Sequence, residues 1–123
     1  MSRDVAAFAA EWVDAWNAHD LDRILSHYHP DAAVRSPLAA VRVPSSGGVV
    51  TGHEALRAYW GPALGPGSEV RFTLEAALRT VDGCTILYRN QRGQLVAETV
   101  VWDGDGLVTD AVVSYDERTA GSN

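Results

Sequence analysis

A chain of 123 residues, 46% hydrophobic and 21% charged, has the apolar mass for a single buried core and an ordinarily globular composition. No run approaches the roughly 18 apolar residues of a membrane span. The formal net charge is −6 and the ten basic residues, all arginine, are scattered with no basic run, so nucleic acid is excluded as the expected partner.

The N-terminus carries no apolar signal-peptide core, and a cytoplasmic protein is expected. Val5, Phe8, Ala9, Trp12 and Trp16 recur at spacings of three and four, which predicts a helix with one buried face. Asn17-Ala18-His19 breaks it, and Asp20 is placed to cap a second helix whose apolar stripe is Leu21, Ile24, Leu25 and Tyr28. Pro30-Asp31 is expected to stop that helix, because proline disfavours helical geometry before it and cannot donate to the preceding turn. Ala32 to Pro37 then reads as a short strand ended by the proline.

Leu38 to Val50, with Pro44-Ser45-Ser46-Gly47-Gly48 at its centre, is long for a connection. It reads either as a mobile lid or rim, or as a hairpin excursion with Val41, Val43, Val49 and Val50 in short strands. Thr51 and Glu54 have capping-box spacing and predict a third helix, with Leu56, Tyr59 and Trp60 facing the core and Gly61-Pro62 through Pro66-Gly67 ending it. Beyond Gly67 the period changes to two. Strands are expected over 70–80, 84–90, 94–102 and 107–116, divided by Asp82-Gly83, Gln91-Arg92-Gly93 and Asp103-Gly104-Asp105-Gly106.

Helices followed by an antiparallel meander make the class α+β. One sheet face can pack on the helices and the other suits a dimer interface. The lone Cys84 excludes an internal disulfide and a multi-cysteine metal site, and its apolar strand suggests a buried thiol. Residues 1–118 are expected to form one domain, with Thr119 to Asn123 a disordered polar tail.

The strings WNAHDLDRILSHYHPDAAVRSP, GHEALRAYW and VVWDGDGLV, the last followed by a strand ending in Tyr115, resemble the nuclear transport factor 2-like superfamily, in its SnoaL-like and ketosteroid-isomerase-like branch. The resemblance covers nearly the whole chain. It implies a cone-shaped, curved antiparallel sheet whose pocket is closed by three helices from the N-terminal half, an NTF2-like or cystatin-like α+β barrel. It also implies a small apolar ligand and a homodimer packed through the outer sheet face. The chemistry does not follow from it, because enzymes and non-catalytic binders share this cone.

Carried over residue by residue, the general base of the steroid isomerases falls on Ser36, their phenolic oxyanion donor on Trp12 and their protonated acid on Glu98. Serine is no base near neutral pH without an activating group, and an indole N–H donates without releasing a proton, so the usual isomerase mechanism is rejected. Glu98 keeps its carboxyl in an otherwise apolar strand, on the face of Val100 and Trp102. Desolvation there would raise its pKa and make it a candidate acid or base. Alternatively it faces water or is neutralised by Arg89. Trp12, Trp16, Tyr28, Trp60, Trp102 and Tyr115 are candidate ligand contacts, or plain core.

His27, His29 and Asp31 lie close in sequence but need not converge, and Asp103-Gly104-Asp105-Gly106 lacks the closing Glu of a calcium loop. No metal or cofactor is expected. His19 and His53, at helix starts, are expected to be solvated. Two functional readings stand. One is an enzyme in which Glu98 moves a proton on a small apolar carbonyl compound, giving isomerisation, cyclisation or dehydration, while Trp12 or Tyr28 donates to its oxygen. The other is a non-catalytic cone that binds a small apolar ligand or serves as a dimeric partner module.

Overall fold

A computed structural model describes residues 3–120. Helix α1 (Val5–Asn17) is capped by Asp4, whose carboxylate accepts from Ala7 N–H, and it buries Phe8, Trp12, Val13 and Trp16 on one side. The chain leaves it through His19, at φ 55. Asp20 then caps α2 (Leu21–Leu25), accepting from Arg23 N–H.

This second helix is shorter than its apolar spacing suggests. Tyr28 already begins β1 (Tyr28–Arg35), and Pro30-Asp31 lies inside that strand rather than at a helix end. A register shift between Tyr28 and Ala33 explains this: proline, with no N–H to give, occupies the stretch where the ladder with the neighbouring strand is interrupted. The two histidines expected in solvent are anchors instead. Nε2 of His19 bonds the Val70 carbonyl at 2.8 Å and Nε2 of His53 bonds the Tyr28 carbonyl at 2.8 Å.

The long connection does not form the expected hairpin excursion, but Leu38, Val41 and Arg42 put it at the rim of the cavity between the helices and the sheet, as the other reading expected. Its first part is α3 (Pro37–Arg42), which places Val41 on an exposed helix face. A single 3₁₀ turn and the left-handed Gly47 lead into β2 (Val49–Thr51), where Val49 and Val50 do take up strand structure, against β1. Thr51 pairs with Ala33 in that ladder, so the capping box does not form. Gly52, at φ 92, is the residue before α4 (His53–Trp60), and no side chain caps it.

The later strands follow the turn signals: β3 (Thr73–Arg79), β4 (Gly83–Arg89), β5 (Leu95–Trp102) and β6 (Val108–Tyr115). The sheet order is β2-β1-β6-β5-β4-β3, antiparallel throughout except for the parallel β1–β6 pair. Six strands form one curved open sheet with the helices on its inner face, the α+β class expected. A fourth N-terminal-half helix, α3, joins the expected three. Helix α5 (Glu117–Ala120) takes Thr119 and Ala120 from the expected tail, whose residues 121–123 lie outside the described residues.

Along β5 the alternation is regular, with Val96, Glu98 and Val100 buried. Val96 and Val100 belong to the same buried core as Trp12, Ile24, Leu25 and Leu56, each such aliphatic contributing ~1.5–3 kcal/mol of burial. Glu98 is on the same inward face.

Candidate active site

A cavity of about 410 Å³ lies between the helices and the inner sheet face. Helix α1 sends in Trp12 and Trp16, α4 sends in Tyr59 and Trp60, and β4, β5 and β6 contribute Tyr88, Glu98 and Tyr115. The aromatic walls are in mutual contact. Trp12 stacks on Phe72 at 5.9 Å, Phe72 meets Tyr88 at 4.4 Å, and Trp16 abuts Trp60 edge-on at 5.2 Å. Such a lining excludes water and favours a flat apolar body.

Glu98 is 3% exposed. Its neighbours across the ladders are Ile86 and Val113, neither of which can solvate a charge. Among the described residues no cation forms an ion pair with it; Arg89, the partner weighed from sequence, instead donates to the Gly93 carbonyl at 3.1 Å. Desolvation pushes its pKa up to about 8, so the carboxyl is mostly protonated at neutral pH.

Four phenols surround it. Burial raises Tyr28, Tyr59, Tyr88 and Tyr115, and the Glu98 charge adds to the rise in each. For Tyr59 and Tyr115 a polar contact with the Ser36 side chain, followed by the positive charge of Arg42, works the other way. Ser36 is 5% exposed and also caps α3, its Oγ accepting from Leu38 N–H at 3.2 Å. It thus ties the α3 start to both phenols. Ser36→Ala is expected to cost about 1 kcal/mol through the lost cap. Urea unfolding measures that cost, and a Tyr59/Tyr115 phenol titration that moves upward would report the lost contact.

Of the residues singled out from sequence, Trp12, Trp16, Ser36, Trp60, Glu98 and Tyr115 converge on this cavity. Tyr28 stands behind its wall, 1% exposed, with its hydroxyl oxygen accepting from Trp12 Nε1–H at 3.1 Å and its ring edge-on to Trp60. Trp102 does not join them. It packs against Phe8 at 5.2 Å and beneath the Arg3 guanidinium. Four residues along a strand is roughly 13 Å, and the register shifts between Val101 and Trp102, so a shared face does not bring Trp102 to Glu98.

Tyr59, Phe72 and Tyr88 are wall residues that sequence reasoning missed. Tyr59 had a signal in its position beside Trp60 on the inner stripe of α4, whereas Phe72 had none, lying just before β3. Trp16 Nε1–H is buried with no partner among the described residues, an open donor in the wall. The histidines near Asp31 have separate partners: His27 Nε2 meets Glu11 Oε2 at 3.2 Å, and His29 Nδ1 accepts from Asp31 N–H. Among the described residues no group of three metal-ligating side chains could hold an ion, and no helix is long and apolar enough to cross a membrane.

The model of the SnoaL-like domain family matches residues 9–120. The chain belongs to that family. A SnoaL-like protein of unknown function from Burkholderia thailandensis E264 is 38% identical, with a TM-score of 0.87 over 91% of this chain and 93% of that one. Two more distant structures share the fold. An NTF2-like protein of unknown function from Cytophaga hutchinsonii is 10% identical with a TM-score of 0.73, covering 99% of this chain and 98% of that one. TerC, co-crystallised with polyporic acid, is 18% identical with a TM-score of 0.71, covering 96% of each chain. No curated protein matches this SnoaL-like chain.

Proposed function

We propose that this SnoaL-like protein is a small-molecule enzyme of the isomerase or cyclase kind, which moves a proton on an apolar carbonyl compound. The observation that carries the reading is Glu98, a buried carboxyl with no cationic partner among the described residues, set in a cavity walled by phenols and indoles. A protein keeps such a costly group where its proton affinity is used. In its ionised form Glu98 takes the proton from the carbon beside the carbonyl. Tyr59 and Tyr115 donate hydrogen bonds to the oxygen as it becomes negative, and the Glu98 carboxylic acid so formed returns the proton to another carbon of the conjugated system. Proton and charge then balance without a second base, which fits the serine at position 36. TerC with polyporic acid is an example of the same fold beside a small organic acid. The outward sheet face, where Leu78 and Val112 are exposed, is the surface on which we place a homodimer.

Deuterium exchange beside the carbonyl of tetralone, followed by NMR, tests this. Exchange accelerated by the protein should rise with pH through about 8, because only the ionised carboxyl is the base; at pH 7 about a tenth of the plateau rate is expected. Tetralone that binds but exchanges no faster than in buffer would leave the non-catalytic binder as the correct reading.

A further inference from the structure

Four of the ten arginines, drawn from three separate stretches of the chain, meet at the mouth of the cavity. Arg42 ends α3, Arg71 precedes β3, Arg89 ends β4, and Arg92 is in the β4–β5 turn; together they line one open depression. The depression is continuous with the cavity, since Arg42, Asn90, Gln91 and Arg92 belong to the walls of both. Scattered in sequence, the arginines are clustered in space.

Their charges are also uncommitted. Arg23, Arg57 and Arg118 are in ion pairs, but among the described residues none of the four at the mouth is. Arg89 alone spends its side chain on a hydrogen bond, to the Gly93 carbonyl. Two carboxylates share the region, Glu69 in the depression and Glu117 at the cavity mouth. Four cations against two anions leave a positive opening on a chain whose net charge is −6. Such an opening draws in anions, and guanidinium forks match a carboxylate or phosphate in two-point contacts.

We propose that the ligand is an amphiphile, with a ring-sized apolar body in the cavity and an anionic group, carboxylate or phosphate, held at the mouth by Arg42, Arg71 and Arg92. This deepens the enzyme reading above and rests on its assignment of the cavity as the ligand site. Holding the anion outside fixes how deep the apolar body enters, and therefore which carbon is presented to Glu98. Arg89 supports the hairpin that carries Arg92.

Calorimetric titration with naphthoate, naphthyl phosphate and neutral naphthol separates the possibilities. At low ionic strength at least one anion is expected to bind about tenfold more tightly than naphthol, with the gap closing as salt is added. Whichever anion gains more identifies the headgroup. The gap should vanish in the R42Q/R71Q/R92Q triple variant and persist in Arg57→Gln, which removes a positive charge elsewhere. Naphthol binding as tightly as both anions, or an anion preference that survives the triple substitution, overturns the anionic ligand while leaving the cavity as a ligand site. Binding by none of the three overturns both.

Discussion

Glu98→Gln is expected to slow proton transfer sharply and yet to make the protein more stable in alkaline solution. The loss of activity should be about a hundredfold or more, the usual worth of a positioned acid or base. The gain in stability follows from linkage. The carboxyl has a folded pKa of about 8 against an ordinary value of 4.5, so between those pH values the folded protein holds a proton that the unfolded chain has released. Stability from this group is therefore fully present below pH 4.5, falls as pH rises, and levels off once the folded state ionises near pH 8. The full fall corresponds to about 5 kcal/mol. Glutamine has no such proton to lose.

The two proteins should consequently melt alike near pH 4 and diverge by about 20 °C above pH 8, with the variant higher. Other titrating groups are common to both and cancel in the difference. Parallel melting curves across that range would show that Glu98 is solvated, and the proton-transfer reading would go with it. Activity and stability moving in opposite directions is what a carboxyl kept for chemistry produces.

Glu98 was legible in the sequence because period-two alternation puts it on the inward face with Val96 and Val100, and one carboxyl among valines stands out. Helix α1 was legible for a similar reason, since Val5, Phe8, Trp12 and Trp16 repeat a full buried stripe. What was not legible depended on partners distant in sequence. Tyr28 continues the apolar spacing of α2, yet pairing with β6 draws it into a strand, and Pro30 is tolerated where that ladder is broken. Thr51 has the spacing of a helix cap, but its place is taken by a ladder with Ala33. The mouth arginines come from three separate segments, the end of α3, the stretch before β3 and the β4–β5 hairpin, that only the curved sheet and its helices bring together. Trp102 shows the converse, a correct face with the wrong end of the strand.

Gly83 shows the same limit most sharply, because Asp82-Gly83 reads as a turn and the glycine is in fact the first residue of β4, opposite Val101. It is needed for room and not for an unusual φ. A Cβ there would fall on the carbonyl oxygen of Val100, with the carbonyl carbon at 2.8 Å and the Val101 Cα at 3.0 Å. These are backbone atoms and cannot rotate aside, so Gly83→Ala must part β4 from β5 at its start. The same ladder sets Glu98 opposite Ile86 three pairs further on, so the damage extends toward the site. A loss of about 3 kcal/mol is expected, at the upper end of overpacking. Gly104→Ala is the control, since a Cβ at position 104 meets nothing within 4 Å, and it should lie within about 0.5 kcal/mol of wild type. Urea midpoints compare the two. Equal midpoints would mean that β4 and β5 are farther apart at Gly83 than the close approach to Val100 requires, and the inward placement of Glu98 from that ladder would have to be redrawn.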